Sequence, residues 1–167
     1  MANKHAIVRT DRLFGTDVGQ GLRSVRFYGA DDKVAEVENG VIAHLNGLEE
    51  GQREVHKAVA ATAGADLTEC VLIAAPEVMY DERLRNLEDF INEAGKAIRG
   101  YILHCNDEFS VTAEGFVNGA VPAVGAEVGI GADGKIDAAG TGLGKCSHIE
   151  TVGRYTYYTI LVGKTEA

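Results

Sequence analysis

Tryptophan is absent from the 167 residues, and proline occurs twice, at Pro76 and Pro122. Cysteine occurs three times, at Cys70, Cys105 and Cys146. An odd number at these spacings is no disulfide framework and points to a reducing compartment. No apolar run approaches the length of a membrane span, and the first residues lack the apolar core of a signal peptide. The expectation is a soluble protein of cytoplasmic origin, long enough to bury a core in one domain without disulfides or metals. The net charge of −9 argues against coating nucleic acid.

Glycine is plentiful, with 21 residues. Many glycines beside few helical patterns point to a turn-rich β protein. Residues 1–29 hold five basic residues and two acidic ones, +3, and the remainder holds 11 basic against 23 acidic, −12. Within 1–29 the apolar residues Ile7, Val8, Leu13, Phe14, Val18, Leu22, Val25 and Phe27 follow no sustained period, and Gly15, Gly19, Gly21 and Gly29 interrupt any helix. Such a segment either forms an edge strand of its own domain or lies extended on another subunit by strand addition. A basic arm on an acidic body suggests docking on something acidic, such as a neighbouring copy.

The most clearly punctuated stretch is 71–112. Val71–Ala75 is a short apolar run before Pro76, as in a buried strand. Asp81 and Glu82 suit a helix start, and Leu84, Leu87, Ile91 and Ala94 share one helical face. Gly95 and Lys96 suit its end, so the pattern predicts one amphipathic helix over about 82–95. Strand-like sequence resumes at Ile98–His104 and Phe109–Thr112.

Elsewhere the signals are strands and turns. Asn39-Gly40 suits a type I′ hairpin, and Asn46-Gly47 and Asn118-Gly119 read as further turns. Arg53–Ala61 fits either strand or short helix. The run 122–130 predicts a strand that Asp133-Gly134 turns back through Lys135-Ile136. Tyr155–Val162 has the strongest β propensity in the chain and predicts a central strand. The expected fold is mainly β, a small barrel or sandwich with one amphipathic helix and an extended N-terminal arm. The arm takes residues 1–29 and a single β-rich domain takes 30–167.

Several chemical motifs are present in part. Gly129-x-Gly131-x-x-Gly134 matches a dinucleotide loop, but nothing after it can start a helix, and a hairpin fits better. Gly140–Lys145 resembles a phosphate loop, yet Ala139 and Cys146 stand where Gly and Ser or Thr are needed, so a surface loop is expected. His104, Cys105, Cys146 and His148 are four potential zinc ligands or a thiol–base set, although neighbours on a strand point to opposite faces. Asp81-Glu82, Glu88-Asp89 and Asp107-Glu108 are carboxylate pairs that fit solvated turns and an outer helix face better than catalysis. Tyr155, Tyr157 and Tyr158 suit cross-strand packing or an interface. No catalytic constellation, cofactor site or metal site emerges.

The segments 4–22 (KHAIVRTDRLFGTDVGQGL), 72–101, 106–114 and 153–162 (GRYTYYTILV) together resemble head decoration (capsid cement) proteins of tailed bacteriophages. Residues 121–150 are similar to the glycine-rich barrels of other phage head-decoration proteins. The resemblance implies a non-enzymatic structural protein on the capsid surface of the virion, made in the host bacterial cytoplasm. It would tie neighbouring capsid subunits together. The implied partners are the major capsid protein and neighbouring copies of the chain, without nucleic acid, membrane or cofactor. Strand addition by the arm would supply the contact, through Arg9, Arg12, Phe14, Leu22, Arg23, Val25, Arg26 and Phe27. The alternatives are a tail or head-completion protein, and a metal- or thiol-dependent enzyme built on the His/Cys set.

Overall fold

A computed structural model describes residues 4–10, 21–79 and 86–163. The chain is mainly β. Among the described residues ten strands follow in order: β1 (Leu22–Tyr28), β2 (Ile42–Leu48), β3 (Val55–Ala60), β4 (Cys70–Ile73), β5 (Ile98–Ile102), β6 (Glu108–Val111), β7 (Glu127–Ile130), β8 (Ile136–Asp137), β9 (Gly142–Val152) and β10 (Tyr155–Val162). The first five close into a barrel in the order β1-β3-β2-β4-β5. β1 and β3 run parallel, and every other barrel pairing is antiparallel. The last five form an antiparallel sheet in the order β6-β10-β9-β7-β8.

β4 joins the two bodies. Side chains alternate across a strand, so its four buried residues serve two cores. Val71 and Ile73 fill the barrel with Val25, Val41, Ala43 and Ala58. Cys70 and Leu72 face the other way and pack with Phe109, Phe116, Leu143 and Ile160 of the sheet. Burial on both faces explains why β4 reads as an unbroken apolar run. The barrel interior is filled mainly by Val and Ala with Ile73. At Gly100 on β5 a Cβ would lie 2.8 Å from Val71 Cγ2. The larger core holds the aromatics, with the Phe116 ring edge-on to Tyr158 at 5.5 Å between centroids. Burial of each such large apolar side chain is worth about 1.5–3 kcal/mol.

The hairpin between β7 and β8 forms as the sequence predicts. Asp133 (φ 56°) and Gly134 (φ 71°) turn it, and Gly129 pairs with Asp137 and Ile130 with Ile136. The hairpin also docks on the barrel, since a Cβ on Gly134 would overlap the carbonyl oxygen of Ile42. β10 is central, paired to β9 on one side and β6 on the other.

The N-terminal arm is corrected. Residues 4–10 lie beside β6: Val8 bridges Val111, the Arg9 N–H donates to Ser110 O at 3.0 Å, and the Thr112 N–H donates to Ile7 O at 3.1 Å. Ala6, Ile7 and Val8 are buried. Leu22–Tyr28 closes the barrel, so a boundary at 29/30 would cut the barrel open. Large apolar residues and β propensity make 4–10 and 22–28 part of the chain's own core, but β1 is not the edge strand expected, since it is paired on both sides. Arg12, Phe14 and the rest of 11–20 lie outside the described residues.

The helix expected over about 82–95 is also corrected. Residues 81–85, with Asp81, Glu82 and Leu84, lie outside the described residues. From 86 onwards the chain makes one 3-10 turn, Leu87–Asp89, and then an extended bridge between Asn92 and Val37. Leu87 is 39% exposed, so the helical spacing does not mark a buried face. Asn92 is needed elsewhere: its backbone exchanges two hydrogen bonds with Val37, and its side chain donates to Val37 O at 2.9 Å and to Asn39 Oδ1 at 3.1 Å.

Other local expectations shift as well. Asn39-Gly40 is no type I′ hairpin; Gly40 alone has positive φ (85°), and Asn39 is fully buried. Asn46-Gly47 lies within β2, where the register against β3 slips between Leu45 and Leu48, a β-bulge. Gly142–Lys145 begins strand β9 rather than lying in a loop, and Gly144 lets it lie against Leu161 at the end of β10. The ambiguous stretch 53–61 holds strand β3.

Candidate functional site

Among the described residues, the arginines of the N-terminal stretch are engaged within the molecule. Arg9 Nη1 lies 2.7 Å from Glu150 Oε1, and its guanidinium sits 5.5 Å from the Tyr157 ring centroid. Arg26 Nη1 lies 3.2 Å from Glu49 Oε1. Glu49 also accepts from the Tyr28 hydroxyl at 2.8 Å, which raises the Tyr28 pKa above its ordinary value. Arg23 Nη1 donates to Leu22 O at 3.0 Å. Val25 is buried in the barrel, and Leu22 and Phe27 are half-buried. Of the arm residues expected to meet a partner, Arg9, Arg23 and Arg26 are therefore already engaged, and Val25 is inaccessible.

The His/Cys set does not converge. Among the described residues no group of three or more His, Cys, Asp and Glu side chains could hold a metal ion. His104 and Cys105 follow the end of β5 rather than lying on a strand, and Cys105 is exposed. Asp107, expected in solvent, is buried and accepts the His104 N–H at 2.8 Å. Glu88 meets Lys4 at 3.7 Å and Arg154 at 3.9 Å. Cys70 and Cys146 are buried, and burial pushes both thiols up, Cys70 to about 11 with help from Asp66 and Glu69. A thiol so raised is a poor nucleophile near neutral pH.

Tyr155 and Tyr157 stack edge-on at 6.4 Å, with the Arg154 guanidinium 4.8 Å from the Tyr155 centroid. These contacts lie along one strand; the tyrosines reach other elements through Tyr158, packed on Phe116, and Tyr157, under the Arg9 guanidinium.

A groove opens at one mouth of the barrel. Because β1 and β3 are parallel, both deliver their last residues to this end, and their following loops leave from it. The groove encloses about 680 Å³. Its floor includes Phe27, Val37, Val41, Val59 and Ile91, and its walls carry Asp32, Glu36, Glu38, Asp133 and Lys135. With four carboxylates and one amine, the formal charge of the lining is 1 − 4 = −3.

Those charges fall into two groups. Glu38 is compensated: Lys135 Nζ lies 3.3 Å from its Oε1, the Ala6 N–H donates to its Oε2 at 3.2 Å, and His5 Nδ1 lies 3.6 Å away. Lys135 also donates to Glu114 O at 3.0 Å, which anchors the β7–β8 hairpin across the groove wall. Asp32, Glu36 and Asp133 have no side-chain hydrogen bond or ion pair among the described residues. The arrangement can cover apolar groups on its floor and attract positive charge at its edge. Of the described residues expected to meet a partner, only Phe27 lines it.

The acidic wall was missed in the sequence, although a signal was present. Asp31, Asp32, Glu36 and Glu38 place four carboxylates within eight residues, interleaved with Val34 and Val37. The total charge of each segment hid them, because it shows imbalance but not which charges are already paired.

No family model, curated protein or solved structure matches this chain.

Proposed function

We propose that the chain is a structural virion protein that binds the outer surface of a tailed-phage capsid and ties neighbouring subunits together. The observation that carries this reading is the barrel-mouth groove, with its apolar floor and three uncompensated carboxylates. Such a surface suits a segment of another macromolecule, where main-chain and side-chain contacts need no chemistry. The union of barrel and sheet through β4 supports it, because a load on either body passes through a shared buried strand. Many copies on a shell would make individually weak contacts collectively strong.

Cosedimentation of the purified protein with empty heads that lack it, across a salt titration, tests the reading. Saturable binding that weakens with salt is the expected result. Binding to isolated tails instead would move the protein to a tail role, and binding to neither would overturn the virion reading.

A further inference from the structure

We propose that the groove receives a linear polypeptide segment in which lysine or arginine alternates with large apolar residues. The inference rests on the capsid-binding reading only for the identity of the partner, and it reverses the polarity expected from a basic arm. Arg9 and Arg26 are neutralised by Glu150 and Glu49 within the chain. Asp32, Glu36 and Asp133 are the groove charges without a partner among the described residues. The groove therefore offers the negative side of the contact, and its occupant must bring the positive one.

The groove's shape and charge select among cations. Among the described residues no acidic or His/Cys cluster is placed to hold a metal ion, so the carboxylates surround an opening without converging on one point. An organic cation on a chain fits that spread, since lysine and arginine lay their aliphatic stems on apolar surface while the charge stays at the wet edge. Phe27, Val37, Val59 and Ile91 supply the apolar surface for those stems and for the neighbouring side chains. Phosphate and other anions meet a lining of charge −3 whose one amine, Lys135, is already engaged by Glu38 and Glu114. The segment is extended, because alternate side chains must point down to the floor and out to the rim.

The test uses the full chain, isotope-labelled, and two acetylated, amidated heptapeptides. One is Gly-Leu-Lys-Val-Arg-Leu-Gly, and the other carries Glu at both basic positions. The expected result is saturable amide shift changes from the basic peptide, centred on Phe27, Val37, Val59 and Ile91, and none there from the acidic one. Neutralising one exposed carboxylate should weaken binding by roughly two- to fivefold. The combined Asp32→Asn, Glu36→Gln, Asp133→Asn variant should weaken it by about tenfold or more, and these exposed positions leave the core untouched. Equal shifts from both peptides, shifts confined to another surface, no response to the basic peptide, or an unchanged triple variant would each overturn the proposal. Peptide binding without head binding would retain the groove and remove the capsid as partner. Head binding without peptide binding would do the reverse.

Discussion

Asn39 holds both polar groups of Ala75: its Nδ2 donates to the carbonyl oxygen at 2.8 Å, and its Oδ1 accepts from the N–H at 3.0 Å. Asn39 is fully buried, so the pair replaces a stretch of ladder where β4 has ended. The same Oδ1 accepts from Asn92 at 3.1 Å, and Nδ2 also reaches Glu77 at 3.1 Å. One amide thereby ties together three segments around the barrel. Asn39→Ala would leave the Ala75 N–H and C=O buried and unpaired, at about 1–3 kcal/mol each. A loss of about 3 kcal/mol in urea unfolding is expected; a loss below about 1 kcal/mol would mean that water or a local shift replaces the amide.

A chain that begins at Ala30 should not fold. It lacks β1, whose Val25 is fully buried and whose two edges pair with β3 and β5. Without it Val71 and Ile73 lose their cover, and two strand edges open. Calorimetry should show no cooperative transition for the truncated chain. A sharp transition near that of the full chain would restore the view of 1–29 as a separable arm.

Only one of the three thiols should react in the native protein. Cys105 is exposed, whereas burial pushes Cys70 up to about 11 and raises Cys146, whose Sγ–H faces His148 O at 3.7 Å. Ellman's reagent at pH 8 should titrate one thiol in native protein and three in denaturant. The Cys105→Ser variant should show none in the native state; a fast thiol remaining in that variant would contradict the buried placement of the other two.

Fold and site were legible in the sequence to different depths. β4 and β10 stood out because a strand with partners on both sides, or buried on both faces, concentrates apolar and β-branched residues. The β7–β8 hairpin stood out because Asp133-Gly134 is suited to positive φ at both positions. What failed depended on distant partners. Leu84, Leu87, Ile91 and Ala94 have helical spacing, but Asn92 among them is bound to Val37 and Asn39, more than 50 positions away in the chain. The parallel pairing of β1 with β3 closes the barrel, yet neither strand carries a local mark of it. The groove exists only because that pairing brings Phe27 and Val59 to one end, so it could not be seen before the barrel was.

Glu77 makes stability depend on pH. Burial raises its carboxyl above the ordinary 4.5, against the opposing effect of hydrogen bonds from its own backbone N–H and from Asn39. Between the ordinary and the raised value the folded chain holds more protons than the unfolded one. This group's contribution to stability therefore falls as pH rises through that window and stays lower above it. Glu77→Gln keeps an acceptor for Asn39 Nδ2 and removes the charge. The variant should melt above the parent at pH 7 and converge with it below about pH 4. A lower melting temperature at pH 7 would show that the ionised carboxylate stabilises the site.

Gly134 and Gly119 allow steric contact to be separated from backbone strain. Both sit at positive φ, 71° and 67°, where a side chain costs about 1–2 kcal/mol. Around Gly119 a Cβ would meet nothing within 4 Å, so Gly119→Ala should lose only that amount. At Gly134 a Cβ would also overlap the Ile42 carbonyl oxygen, which is backbone of the barrel and cannot rotate aside. The β7–β8 turn would have to lift from β2, carrying Asp133 and Lys135 away from the groove wall they help to form. Gly134→Ala should therefore cost at least about 2 kcal/mol more than Gly119→Ala in urea unfolding. It should also weaken binding of the basic heptapeptide, whereas Gly119→Ala leaves that binding unchanged. Equal losses in the two variants would mean that the hairpin does not rest on the barrel, and that groove and sheet are mechanically independent.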